Sequence, residues 1–265
     1  MSIHSTAIIS PKAELDSTAQ VDPYVIIDGP VRIGANTRVC AHAVISGHTT
    51  IGADNVIGSF TSIGAPPQDL HYKGEPTELI LGDGNEIREY VSIHRGTPGG
   101  RGKTWIGNNN LVMAYCHIAH DCFLADYVIM ANLATLAGHV EIGSHANLGG
   151  LVAVHQRCRV GDYAYVGGMS GIGLDVPPYV LMEGTRNQMR ISGINKIGLR
   201  RAGMNRETIA QLEEAFKILF RSPHILLKDA LFKLQNEMSD CHEVQVIVDF
   251  FQSSQRGVVK RTNDD

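Results

Sequence analysis

The stretch VMAYCHIAHDCFLADYVIMANLATLAGHVEI, residues 112–142, carries an aliphatic residue at every sixth position: Val112, Ile118, Leu124, Met130, Leu136 and Ile142. A helix would need an apolar period of about 3.6 residues, so this spacing excludes one. It suits short strands, whose side chains alternate between faces, separated by tight corners. Outward from this stretch the same step runs from Ile9 through Val21, Ile33, Ile45 and Ile57 to Ile63. It resumes at Leu81, Ile87 and Ile93, starts again at Ile106, and continues to Ile172. A small residue tends to sit two places before each marker (Ala19, Thr37, Ala43, Cys116, Ala134, Ala146), and Gly often follows it, as in Ile33-Gly34 and Ile142-Gly143. The chain is expected to wind as a parallel β-solenoid with aliphatic columns at its centre. Burying each marker contributes roughly 1.5–3 kcal/mol, and ordering each residue's backbone costs about 1–2 kcal/mol. Hydrogen bonding between coils must therefore carry part of the fold.

Two insertions break the hexads, at about residues 64–80 and 95–105, and must leave the coil as loops. Loops on one face of a repeat protein are where function tends to be placed. Val176-Pro177-Pro178-Tyr179 ends the repeats, and a helical period follows. Asn205 is placed to cap a helix with the stripe Ile209, Leu212, Phe216 and Leu219, ending before Pro223. Leu227, Ala230, Leu231 and Leu234 predict a second helix; Val244, Ile247, Val248 and Phe251 predict a third. The expected organisation is a solenoid over 1–185 and an α-helical C-terminal domain over 186–265.

Composition narrows the function. In 265 residues, 23 Lys and Arg stand against 27 Asp and Glu, a net charge of -4, which speaks against a nucleic-acid binder. No apolar run is long enough for membrane insertion, and the N-terminus lacks a signal-peptide pattern. Five scattered cysteines with no CxxC pair suit a reducing compartment, so a cytoplasmic protein is expected. Between 186 and 206, Arg186, Arg190, Lys196, Arg200, Arg201 and Arg206 occur with no acidic residue, a local charge that suits anionic partners.

Six of the twelve histidines fall between 94 and 155: His94, His117, His120, His139, His145 and His155. The hexads resemble those of the hexapeptide-repeat acyltransferases, whose coils take three hexads each, and that resemblance implies that His120, Gly138 and Gln156 stack in one column, with His139 and His155 beside them. Three imidazoles can bind zinc, but no matching ligand pair accompanies His117-x-x-His120, so no metal is expected. A neutral ring is better used as a general base at neutral pH.

The same resemblance implies a mainly β fold: a left-handed parallel β-helix. The segments His94-Arg95-Gly96-Thr97, His117-Ile118-Ala119-His120-Asp121-Cys122, Ala137-Gly138-His139, His155-Gln156 and Asp175-Val176-Pro177-Pro178-Tyr179 narrow the likeness. With Gln68-Asp69-Leu70, Lys73-Gly74-Glu75-Pro76-Thr77 and the helical tail, they resemble the UDP-N-acetylglucosamine acyltransferases of lipid A biosynthesis over nearly the whole chain.

That resemblance implies transfer of a 3-hydroxyacyl chain from acyl carrier protein to the glucosamine 3-hydroxyl of UDP-N-acetylglucosamine, by a homotrimer and with no cofactor. It makes His120 the general base, Asp121 its orienting partner and the Gly138 N–H the oxyanion donor. Adjacent strand residues face opposite ways, so pairing His120 with Asp121 requires a corner between them. The resemblance also assigns Asp69, His94, His117, His139, His155, Gln156, Asn195 and Arg201 to the sugar nucleotide or acyl donor. His71 stands where the family commonly has Lys, which leaves the 3-amino analogue of the sugar nucleotide open as acceptor. Gly168 lies where the family sets acyl length, and its lack of a side chain points to a longer chain. Outside the enzyme class, the rival is a non-catalytic solenoid serving as an assembly platform.

Overall fold

The computed structural model describes residues 2–185, 188–222 and 224–259, so Arg186 and Pro223 lie outside the described residues. Strands mostly two residues long stack into three parallel sheets, the faces of a three-sided coil. The first face has 11 strands, from β1 (Ser2–Ile3) to β28 (Arg190–Ile194). The second has 9, from β2 (Ile8–Ile9) to β26 (Gly171–Ile172), and the third 8, from β3 (Glu14–Leu15) to β24 (Arg159–Val160). Register follows the hexad markers: Ile93 lies opposite Ile118, Ile118 opposite Leu136, and Leu136 opposite Val154. Ile93, Ile118, Leu124 and Leu136 are wholly buried, so the period of six is the period of the core.

The corners use a costly conformation. Tyr24, His42, Phe60, Tyr90, Tyr115, Leu133, Leu151 and Met169 all sit at φ near +60° on the corner between the first and second faces. An L-residue pays roughly 1–2 kcal/mol there. The conformation turns each corner N–H back toward the preceding coil, as in His139 N to His120 O (3.0 Å) and Met169 N to Gly150 O (2.8 Å). Strand N–H groups point the other way, to the next coil, as in Ile129 N to Ala146 O. Side chains at these corners also stack: Tyr24, His42, Phe60, Tyr90 and Tyr115 form a continuous column of rings 4.8–5.2 Å apart.

Inside, the small-residue column becomes polar for four coils. Thr37 Oγ1 accepts from Asn55 N, Asn55 Oδ1 from Asn85 N and Nδ2, Asn85 Oδ1 from Asn110 N, and Asn110 Oδ1 from Val128 N. All four side chains are buried, and each caps a backbone donor of the next coil.

The solenoid continues past Pro178. Val176 bridges Val160, Tyr179 takes the corner conformation, and β27 (Val180–Glu183) extends the first face, closed by antiparallel β28. Then follow α1 (Lys196–Arg201), α2 (Arg206–Phe220), α3 (Leu227–Glu237) and α4 (His242–Ser253). The three expected helices are present, and Asn205 caps α2 by accepting from Thr208 N. β28 and α1 have no mark in the sequence pattern, because β28 lies outside the hexads and α1, six residues long, is too short to show a helical period. Arg159 ties the tail back to the solenoid through Asp175, Ser253 and the Phe250 carbonyl. No helix among the described residues is long and apolar enough to cross a membrane.

The asparagine ladder yields the first prediction. Asn85→Ala leaves Asn110 N buried without an acceptor and should lower the unfolding free energy by about 1–3 kcal/mol, read from urea denaturation. An unchanged midpoint would show that water replaces the amide.

Candidate active site

Ile118 anchors the second face with its side chain in the core, and the chain turns after Ala119. Asp121 takes φ 59°, which supplies the corner that the pairing requires. His120 Nδ1 lies 2.8 Å from Asp121 Oδ2. An ionised carboxylate only accepts, so the ring proton sits on Nδ1 and the lone pair on Nε2 is left free.

Asp121 is fully buried and held from four sides. Besides His120, it accepts from Thr97 N, from Thr97 Oγ1 at 2.6 Å and from Arg101 N at 2.8 Å. Burial is the largest influence on its carboxyl and raises the pKa, but the hydrogen bonds from His120 and Thr97 together outweigh it, and the pKa falls below the ordinary carboxylate value. Gly100 leaves space for this carboxylate, since a Cβ there would stand 2.4 Å from its carbon. Thr97, the Arg101 backbone and Thr104, which accepts from Asp121 N, were not singled out from the sequence. The motif His94-Arg95-Gly96-Thr97 was the available signal for Thr97.

The predicted column is present. A Cβ on Gly138 would stand 2.5 Å from the His120 ring, so only Gly leaves that imidazole room. The Gly138 carbonyl accepts from Arg157 N, while its N–H has no acceptor among the described residues. His139 packs edge-on against His120, ring centroids 5.1 Å apart, with Nε2 3.9 Å from Asp121 Oδ2. Burial lowers the His139 pKa. A cavity of about 470 Å³ opens over this corner, lined by Asp69, His71, Thr97, His120, His139 and Gln156, together with Arg157. Asp69 accepts from the His71 N–H at 2.8 Å, which lowers its pKa, and its Oδ1 lies 3.1 Å from the His71 ring, itself 96% exposed.

His94 and His117 form a second edge-on pair on the second face, 4.9 Å apart. His117 Nδ1 meets Ser92 Oγ at 2.7 Å, and burial lowers its pKa. Burial, with the neighbouring His117, pushes His94 down to about 4, and its Nδ1 has no partner. His155 is exposed beside Gln156. The remaining candidates lie elsewhere in the chain. Gly168 is exposed at the corner between the first and second faces, next to Met169. Asn195 is buried as the cap of α1, donating to Tyr163 O at the corner between the third and first faces, and Arg201 is exposed at the end of that helix.

His120, Asp121 and His139 each bring a possible metal ligand atom within 4.8 Å of the others. The Asp121 oxygens, however, already accept from protein donors, so the carboxylate serves the imidazole and the loop rather than a cation.

Stacked hexad coils with a buried carboxylate steering an imidazole over a glycine place the chain in the hexapeptide-repeat class of acyltransferases. Residues 175–259 match the family model described as UDP N-acetylglucosamine O-acyltransferase, domain 2. The acyl-[acyl-carrier-protein]–UDP-N-acetylglucosamine O-acyltransferase of Thermodesulfovibrio yellowstonii is 50% identical over 97% of this chain and 99% of its own. That of Halorhodospira halophila is 49% identical over 76% of this chain and 77% of its own. The crystal structure of UDP-N-acetylglucosamine O-acyltransferase from Moraxella catarrhalis superposes with a TM-score of 0.94 at 45% identity, covering 98% of this chain and 100% of that one. The chain belongs to the acyl-[acyl-carrier-protein]–UDP-N-acetylglucosamine O-acyltransferase family, and its fold is the left-handed parallel β-helix expected from the family resemblance.

The buried pair His94 and His117 predicts acid sensitivity. A histidine whose folded pKa is depressed contributes stability that is present above the unfolded value of about 6.5 and lost as pH falls toward the folded value, about 4 for His94. His94→Gln should therefore flatten the pH dependence of unfolding between these limits by up to about one proton. An unchanged slope from matched urea titrations would assign that proton uptake elsewhere.

Proposed function

We propose that this enzyme transfers a 3-hydroxyacyl chain from acyl carrier protein to the glucosamine 3-hydroxyl of UDP-N-acetylglucosamine, the first step of lipid A biosynthesis. The observation that carries this reading is the free Nε2 of His120, with its ring fixed by buried Asp121 and the Gly138 N–H beside it. The sugar 3-oxygen attacks the thioester carbonyl carbon as its proton passes to His120 Nε2. Charge gathers on the former carbonyl oxygen, which the Gly138 N–H stabilises. When the C–S bond breaks, the imidazolium returns the proton to the departing sulfur, giving the carrier thiol. Asp121 stabilises the imidazolium between these two transfers, and its low pKa keeps it ionised for that role.

Asp69, His71, His139 and Gln156 line the cavity and are assigned to the sugar nucleotide. His94, His117 and His155 flank the same corner and are assigned to the acyl donor and the rim of the cleft. Gly168, Asn195 and Arg201 lie on other corners, which supports a homotrimer in which an adjacent copy brings its own edge to the His120 of its neighbour. Five free cysteines suit work in the cytoplasm.

The test incubates the protein with 3-hydroxyacyl carrier protein and UDP-N-acetylglucosamine or its 3-amino analogue. His120→Ala should lower kcat by about 10²–10⁴-fold, with the affinity for UDP-N-acetylglucosamine retained. Full activity in that variant would remove the general-base assignment.

Gly168 stands on a corner whose neighbours Leu133, Leu151 and Met169 expose an apolar line suited to an acyl chain. The preferred donor should be nearer about 14 carbons than about 10, and Gly168→Met should shift the preference to shorter chains. An unchanged profile across donor lengths would place the measure of acyl length elsewhere.

A further inference from the structure

Both insertions leave the coil at the corner between the second and third faces, in successive coils, and one short segment binds both. His94-Arg95-Gly96-Thr97 follows the second-face strand β14 (Ser92–His94). Thr97 holds Asp121. Gly96 N donates to Glu78 O, where the first insertion rejoins the coil, and Arg95 N donates to Ala65 O, where that insertion departs. The Arg95 side chain spans the gap between these two ends. Its Nη1 donates to Gly64 O at 2.9 Å, and its Nη2 donates to the Tyr72 hydroxyl at 2.8 Å. The Tyr72 hydroxyl in turn donates to Glu75 O at 2.7 Å, and the guanidinium lies 5.6 Å from the centre of the Tyr72 ring. Gly47, in the coil before, leaves the guanidinium its place, since a Cβ there would stand 2.6 Å from Arg95 Nη1.

We infer that Arg95 and Tyr72 are positioning residues for the sugar nucleotide, fixing the 66–77 loop, with Asp69 and His71, in register over His120. This rests on the proposed function, in which that loop meets the acceptor. Asp69 is coupled to the clamp through the backbone, because Tyr72 N donates to Asp69 O at 3.1 Å. The loop has little other means of holding its shape. Its remaining polar contacts are local, between His71 and Asp69 Oδ1, from Lys73 Nζ to Leu70 O and from Lys73 N to Glu75 Oε2, and Leu70 and His71 project into solvent. The planar fork of Arg95 meets a carbonyl and a hydroxyl at once, a geometry that a lysine ammonium does not reproduce.

The clamp touches neither Asp121 nor His120, so its loss should act on acceptor binding and spare the proton-transfer pair. Tyr72→Phe keeps the ring and removes the hydroxyl's bonds to Arg95 and to Glu75 O. It should raise the KM for UDP-N-acetylglucosamine about 5–10-fold while kcat at saturation and the KM for the acyl carrier protein stay within about twofold, the size expected for one or two hydrogen bonds. Arg95→Lys should do the same more strongly. Amides 68–75 should exchange with deuterium faster in both variants, with the melting temperature near that of the wild type. Equal changes in kcat, or in both KM values, would show a general structural role and overturn the inference. Unchanged kinetics would overturn it as well. Asp69→Asn, run alongside, separates the levels: if it leaves the KM for the sugar nucleotide unchanged, the assignment of the loop to the acceptor fails. If it raises that KM while Tyr72→Phe does not, only the clamp fails.

Discussion

Most corners of this solenoid beyond the first coil turn a backbone N–H against the direction in which the strands donate. Strand amides reach forward to the next coil, and corner amides reach back to the one before, which requires positive φ in residues as large as Tyr, Leu and Arg. The conformation costs roughly 1–2 kcal/mol per residue in isolation. A backbone hydrogen bond contributes about 0.5–1.5 kcal/mol, and ring stacking along a corner column adds a similar amount. The corners therefore hold only in a stack. A lone coil would retain the strain and lose the partners that offset it, so cooperativity along the axis is built into the backbone.

The proposed active site is one use of that corner. In a strand, His120 and Asp121 would project to opposite faces. With Asp121 at positive φ, its carboxylate folds inward beside the His120 ring, where the second insertion covers it and removes it from water. Burial alone would raise the carboxyl pKa and weaken it as a partner for an imidazolium, and the hydrogen bonds from His120 and Thr97 together reverse that. The insertion that seals the carboxylate also keeps it ionised. Gly138 completes the arrangement one coil later, because the constant step between coils brings it under the imidazole.

How far the sequence could be read follows from which properties are periodic. Burial of Ile118 or Leu136 is a property of one side chain at a fixed step, so the core was legible from the period alone, while the three faces and the column of His120, Gly138 and Gln156 needed the three hexads per coil that the resemblance supplied. The corner at Asp121 was inferred only as a requirement, because positive φ at a non-glycine residue has no mark in composition when Tyr, His, Leu, Asp and Arg all adopt it. β28 was hidden because it is antiparallel, outside the hexads, and held by a single neighbour. The partners of Asp121 come from an irregular loop in which two of the four donors are backbone amides, and no residue type identifies those. Resemblance alone puts Asn195 and Arg201 with the site, and within one chain the fold puts them on a different edge.

That separation follows from three-sided geometry. A coil with three corners can bring side chains together along a column or across one face, and cannot fold one corner onto another. His120, His139 and Gln156 share a column, and His94 and His117 reach them across the second face. The two insertions add cover from the N-terminal side only, because they leave the coils that precede His120. On the C-terminal side Gln156 and Arg157 stay exposed, and His71 extends its ring into solvent from the loop above. On the proposed function, a site for a sugar diphosphate and a long acyl chain needs more wall than these exposed groups supply, and among the described residues the tail adds only Ser253, Gln255 and Arg256 beside His139 and Arg157. The residues that family resemblance adds, Gly168, Asn195 and Arg201, are carried on the edges that a second solenoid packed alongside would present. On the proposed function, the catalytic corner is complete within one chain, and the substrate cleft around it is the part that calls for a neighbour.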